Sequence, residues 1–243
     1  MSRLNKNIWT LVTIAFAICL TAVTLKHFVT SPWRVVGELG GDGAKNNFTY
    51  LYQCMYGSGY WFTGMNYPYG EHIVYTDGQP VLSVLLSHFK NVTAGNALAV
   101  MWLLIDLSYV LSVFFIYKIL THFRVGPLVA MLFAGLITIF SPQLFRIQGH
   151  YALAYACVIP MVFYWLIRYH QQARARFAVY LFIAGCFFAF IHLYYIAMML
   201  IWIMGYTMGY FIFTRAALLQ KIKHVAPLLI SVFGTFALVS LVM

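Results

Sequence analysis

From Phe177 to Phe213 no side chain carries a formal charge. In a helix rising about 1.5 Å per residue, such a run exceeds the ~20 residues that cross a hydrocarbon core. It therefore has to fold back on itself. His192-Leu193-Tyr194-Tyr195 interrupts it, and the sequence predicts a short span over 177–191 and a longer one over 194–213. The rest of the chain has the same character: 8% of residues are charged and 63% hydrophobic, where a soluble domain carries roughly 25% charged residues. So few charges cannot cover a globular surface, and lipid must be the solvent for most of the chain. Apolar runs at 8–25, 97–117, 126–140, 153–168 and 225–243 complete an all-α membrane protein of about seven transmembrane helices, read as one module over 1–243. Arg3 and Lys6 precede the first run, which is too long for a signal-peptide core and lacks a small-residue cleavage site, so it reads as an uncleaved span. Leu241-Val242-Met243 closes the chain without a flanking charge, and a continuation is expected beyond it.

The formal charge of +10 is not a nucleic-acid signature, because the cations punctuate the ends of apolar runs. Arg3, Lys6, Lys118, Arg124, Arg168, Arg174, Arg176, Arg215, Lys221 and Lys223 fall on one side of the predicted layout. Lys26, Arg34, Lys45, Lys90 and Arg146 fall on the other. Short loops rich in Lys and Arg stay in the cytoplasm. This parity requires the break near residue 192, and it places the N-terminus inside and the long loop 26–96 outside. Of the four cysteines Cys54 alone lies in that loop, so no extracytoplasmic disulfide pair is available.

The long loop holds Glu38, Asp42, Glu71 and Asp77, four of the five acidic residues; the fifth, Asp106, falls inside an apolar run. Phe48, Leu51, Tyr52 and Met55 repeat with the period of one helical face, as do Leu82, Leu85, Leu86 and Phe89 behind Pro80. Both stretches read as interfacial helices. Turn signals lie between them, and His72 to Thr76 reads as a short extended piece.

Carboxylates gathered on one face of a membrane protein point to work done there. Asp42 stands among Gly40, Gly41 and Gly43, which allow a tight turn and close approach of a ligand. It reads either as a cap of the following helix or as a general base for a hydroxyl nucleophile, and the two are compatible. Glu71, His72 and Asp77 are candidate substrate or divalent-cation ligands (Mg or Mn), although neighbours in an extended strand point to opposite faces. Ser141-Pro142 reads as a helix start, and Gln143, Arg146 and His150 then share a helical face suited to a phosphate group. An arginine reaching for lipid headgroups would look the same. His192 with Tyr194 and Tyr195 reads as an interior-facing histidine or as part of an aromatic belt. Asp106 is expected to hydrogen-bond to another span.

Gly41-Asp42-Gly43-Ala44-Lys45-Asn46, Tyr69-Gly70-Glu71-His72, Asp77-Gly78-Gln79-Pro80 and Arg146-Ile147-Gln148-Gly149-His150, set in this layout, resemble bacterial members of the GT-C superfamily of integral-membrane glycosyltransferases. The resemblance implies a polyprenyl-phosphate-linked sugar as donor and a glycan, lipid or protein hydroxyl as acceptor. It also implies inverting transfer and an acid of the first outer loop, Asp42 here, at the active site. An Asp-X-Asp pair is absent. A transporter or lipid flippase, and a non-catalytic polysaccharide- or lipid-binding membrane protein, are the rival readings.

Overall fold

The computed structural model describes residues 3–37 and 40–242, with side chains from residue 7 onward; Met1, Ser2, Glu38, Leu39 and Met243 lie outside the described residues. Its helices are α1 (Arg3–Thr24), α2 (Lys26–Thr30), α3 (Gly41–Tyr56), α4 (Pro80–Ser87), α5 (Ala94–His122), α6 (Pro127–Ile139), α7 (Pro142–Arg146), α8 (Val158–Gln172), α9 (Ala175–Ala189), α10 (Tyr194–Phe213) and α11 (Leu218–Val242). Strands β1 (Trp61–Phe62) and β2 (Glu71–His72) form an antiparallel hairpin, pairing Trp61 with His72 and Phe62 with Glu71. Among the described residues, six helical segments are long and apolar enough to cross a membrane: Asn7–Thr24, Ala94–His122, Pro127–Arg146, Tyr151–Gln172, Tyr194–Phe213 and Leu218–Val242. The architecture is all-α and membrane-embedded. The uncharged run does break where expected, with α9 ending at Ala189 and α10 starting at Tyr194, and α9 is the shorter apolar helix.

Several helices outrun their apolar stretches. α5 begins at Ala94 because Thr93 caps it, its hydroxyl accepting the Asn96 N–H at 3.2 Å. α11 begins at Leu218 rather than Val225, its polar first turns tied down by Lys221 Nζ on the Phe211 carbonyl at 2.7 Å. Pro142, with no N–H to give, opens α7 after the bend at Phe140-Ser141.

α5 is the hub, packed against α1, α6 and α8. Ala97, Met101, Trp102, Ile105, Tyr109 and Val113 on it are buried. Helices in lipid gain little from hydrophobicity and associate through close packing and hydrogen bonds. Here Ser112 meets Thr138 of α6 at 3.0 Å. Gly185 of α9 lets α11 come so near that an added Cβ would sit 2.7 Å from the Thr235 hydroxyl. The stretch from Tyr151 to Cys157 runs beside α5, where Ser108 Oγ accepts the Ala156 N–H at 3.2 Å. It is irregular but almost wholly buried, and irregular backbone at membrane depth is tolerated only under such protein cover. Asp106 departs from expectation: it is buried on α5, and neither carboxylate oxygen has a hydrogen-bond partner among the described residues.

At one end of the bundle α3, the hairpin and α4 form a cap. Phe48, Tyr52 and Tyr56 of α3 cluster with Phe62, ring centroids 5.4–6.3 Å apart. Phe48 and Met55 stay exposed, and the face that α3 turns to the protein is polar: Asn46, Asn47, Thr49 and Gln53, beside Tyr50 and Cys54. The reason is the neighbourhood. Irregular loops leave carbonyls unpaired, and buried donors must satisfy them. Gln53 donates to Gly59 O at 2.6 Å, Thr49 to Thr76 O at 3.0 Å and Tyr50 to Ala97 O at 2.9 Å. The expected extended piece over 72–76 is extended only at Glu71–His72; Ile73–Thr76 is a 3-10 turn closed by Thr76 Oγ1 on the Ile73 carbonyl at 2.8 Å.

Candidate functional site

α3 starts on Gly41 at φ +51°, a left-handed entry that favours glycine. Gly40 holds the cap position, so Asp42 is a first-turn residue rather than the cap. A carboxylate is stabilised there by the helix dipole, and its side chain remains available. It pairs across the surface with His150, Nε2 to Oδ2 3.3 Å, both groups substantially exposed to solvent. Bonds on either side fix the histidine. Asn46 donates to the Gly149 carbonyl at 2.5 Å and to the Asp42 carbonyl at 2.9 Å. Asn47 donates to the Tyr151 hydroxyl at 3.2 Å and to the Val36 carbonyl. Gly37, at φ +72°, lies directly against the Tyr151 ring, where a Cβ would overlap the phenol.

Lys45 follows Asp42 by three residues, on the same face of α3. Its Nζ reaches Asp77 Oδ2 at 3.1 Å, while His192 Nε2 meets Asp77 Oδ1 at 3.0 Å. His192 Nδ1 accepts the Tyr194 N–H at 3.2 Å, so the imidazole proton belongs on Nε2, facing the carboxylate. The His192 hydrogen bond, reinforced by Lys45 against the opposing effect of partial burial, lowers the Asp77 pKa to about 2. The turn carrying Asp77 is held in an unusual shape, with Asp77 at φ +60° and Gln79 at φ +48°. Gln79 accepts the Tyr155 hydroxyl at 2.8 Å, and the Val81 N–H donates to Phe190 O at 2.8 Å. These bonds tie the long loop to the α9–α10 link and to the buried 151–157 stretch.

Gln143, Arg146 and His150 do not share one helical face. α7 ends at Arg146, and the chain then turns so that His150 looks toward Asp42. Gln143 and Arg146 instead line a groove of about 320 Å³ between α7 and α10, with Leu153, Tyr194, Tyr195 and Met198 among its walls. The two features stay coupled through the backbone, since the His150 N–H donates to the Arg146 carbonyl at 2.8 Å.

Glu71 and His72 stand apart. β2 sends them to opposite faces, and no ion pair joins Glu71 to the Asp42 or Asp77 groups among the described residues. Both His72 nitrogens are engaged: Nδ1 accepts the Val74 N–H at 3.3 Å and Nε2 meets the Val242 carbonyl at 3.2 Å. The ring lies parallel to Tyr60 at 5.9 Å. Where a cation would meet Asp77, the Lys45 ammonium already sits. Glu71, His72 and Asp77 therefore do not fit a divalent-cation site, and among the described residues no three His, Cys, Asp or Glu side chains are grouped to hold a metal.

The family model described as "Domain of unknown function (DUF6311)" matches residues 11–243. The chain belongs to the DUF6311 family. No curated protein and no solved structure matches it. The DUF6311 match takes in the two carboxylate–imidazole pairs and the α7–α10 groove. Sequence reading missed Lys45 as a site residue, though its i+3 spacing from Asp42 was the available signal. Gln79, Asn46 and Tyr155 gave no local signal, because their partners lie far away in the chain.

Proposed function

We propose that this chain is a membrane glycosyltransferase that moves a sugar from a polyprenyl-phosphate donor to an acceptor hydroxyl, at the extracytoplasmic surface of a bacterial inner membrane. One observation carries the reading. A largely apolar groove between α7 and α10, with Arg146 in its lining, is one helical turn of backbone away from a carboxylate–imidazole pair. The groove walls suit an isoprenoid tail, and Arg146 suits the phosphate that ends it. The Asp42–His150 pair supplies a base beside that phosphate. The likeness of the Gly41–Asn46 and Arg146–His150 stretches to GT-C enzymes supports the same chemistry.

In this mechanism the acceptor oxygen attacks the anomeric carbon as Asp42 takes its proton. The bond from the anomeric carbon to the phosphate oxygen breaks, the electron pair leaves with the phosphate, and Arg146 stabilises the charge that develops. His150 orients the Asp42 carboxylate. Attack opposite the leaving group inverts the anomeric centre. Lys45 and His192 hold Asp77 as a fixed anion that ties the loop to the bundle.

The test is sugar transfer from a labelled polyprenyl-phosphate sugar in vesicles containing the protein. The wild-type chain transfers label, while Asp42→Asn inserts and folds normally and does not. Transfer by Asp42→Asn at the wild-type rate refutes the assigned base. A transporter or flippase reading has Asp106 in its favour, and movement of the lipid across the bilayer without sugar transfer would select it.

A further inference from the structure

The opposite end of the bundle holds a cavity of about 630 Å³, walled by α1, the end of α5, the start of α6 and the end of α8. Lys118, His122, Arg124 and Arg168 line it, with the hydroxyl-bearing Thr10, Tyr117, Thr121 and Tyr164, and among the described residues no carboxylate takes part in its wall. Among the described residues the acids lie elsewhere. Asp42, Glu71 and Asp77 belong to the other end, and Asp106 is about 18 Å from Lys118 along α5. Lys118 donates to Thr10 Oγ1 at 2.7 Å and lies 5.3 Å from the Phe114 ring, and Arg168 lies 5.9 Å from the Phe177 ring. These contacts hold the cations in place without neutralising them. Like charges converging at the edge of a low-dielectric bundle repel unless an anion joins them.

A second concavity of about 520 Å³ adjoins the first, and His122 and Ile167 line both. Its walls are apolar: Phe123, Phe163, Leu166 and Trp202, with Gly205 leaving space. A basic cavity that opens into an apolar trough at the end of membrane-spanning helices has the shape of one kind of ligand. We propose that this end of the bundle binds an anionic phospholipid, its phosphate among Lys118, Arg124 and Arg168 and its hydrocarbon along Phe163 and Trp202. Basic pockets between helices are a general means of holding anionic headgroups. The site is separate from the α3 end and stands whether or not sugar transfer is found there.

The experiment is thermal unfolding and lipid binding of the full chain in detergent. The added probes are phosphatidylglycerol, phosphatidylcholine or inorganic phosphate alone. Phosphatidylglycerol is expected to raise Tm and to bind, with little effect from phosphatidylcholine or inorganic phosphate. Arg124→Gln, at an exposed position that leaves the helices intact, weakens binding about fivefold, and Lys118→Gln with Arg168→Gln weakens it further by about the same factor per cation. Arg174→Gln, an exposed cation at the same end but outside the cavity, binds as the wild type does. An equal shift with inorganic phosphate overturns the lipid assignment, and so does unchanged phosphatidylglycerol binding by a folded Arg124→Gln variant.

Discussion

The two ends of this bundle handle charge in opposite ways. At the α3 end every described ion pair joins a carboxylate to a nearby cation or imidazole: Asp42 to His150, and Asp77 to both Lys45 and His192. At the other end Lys118, Arg124 and Arg168 share a cavity with hydroxyls and aromatic rings and, among the described residues, no acid in its wall. The first arrangement pairs Asp42 and Asp77 within the chain and leaves the Asp42–His150 pair exposed. The second gathers cations without a carboxylate among the described residues, which is why we propose an anion from outside. Charge is scarce in this protein, and its segregation is the ground on which we propose chemistry at the α3 end and lipid binding at the other.

Substitutions at the α3 end sharpen that contrast, beginning with the largest effect. Asp42→Asn lowers sugar transfer about 10²–10⁴-fold, the usual contribution of a positioned general base, with thermal stability unchanged. Transfer rates and Tm measured on the same vesicle preparation check this. Arg146→Gln lowers kcat/KM for the lipid-linked donor by about 10- to 100-fold, the loss of one charge-assisted contact to phosphate. A donor titration of the variant reads it. The same substitution leaves phosphatidylglycerol binding at the opposite end intact, and a loss there would break the separation of the two ends.

Stability effects are smaller. Gly37→Ala meets both a left-handed φ and the Tyr151 ring, and destabilises the chain by about 1–3 kcal/mol. A depressed Tm with transfer retained below it is the expected result. Asp77 contributes a pH dependence whose sign is set by its lowered pKa. Its stabilisation is fully present above the unfolded value near 4 and is lost as pH falls toward about 2. Partial exposure screens the interaction, so its size is about 1–2 kcal/mol. Asp77→Asn flattens the acid limb of a Tm-against-pH curve between those values. An acid limb identical to that of the wild type contradicts the role given to Asp77.

Much of the fold could be read from residues alone because lipid imposes strict lengths. The uncharged run over 177–213 had to break, and it breaks at the histidine. Pro80 and Pro142 open helices where a missing N–H costs nothing. What escaped sequence reading depends on contacts between distant segments. The apolar repeat of α3 marked a helix correctly, but its polar side turned inward because the loops around it needed hydrogen-bond donors. His150 left the Gln143–Arg146 face because the helix stops at Arg146, which no spacing rule foretells. Asp77 read as a candidate substrate or cation ligand, and no local pattern showed that the chain would bring Lys45 and His192 to it. Asp42 stood out in the sequence through its glycines, whereas the Asp42–His150 pairing joins parts of the chain too far apart for any local pattern to reveal.

The most direct measurement is photo-crosslinking of the full chain with a photoactivatable polyprenyl-phosphate sugar, followed by mapping of the labelled residues. Label in the groove formed by Gln143, Arg146, Tyr194 and Tyr195, abolished by competing polyprenyl phosphate, is the result predicted here. Label confined to the cavity around Lys118, Arg124 and Arg168, with the α7–α10 groove untouched, would contradict the account.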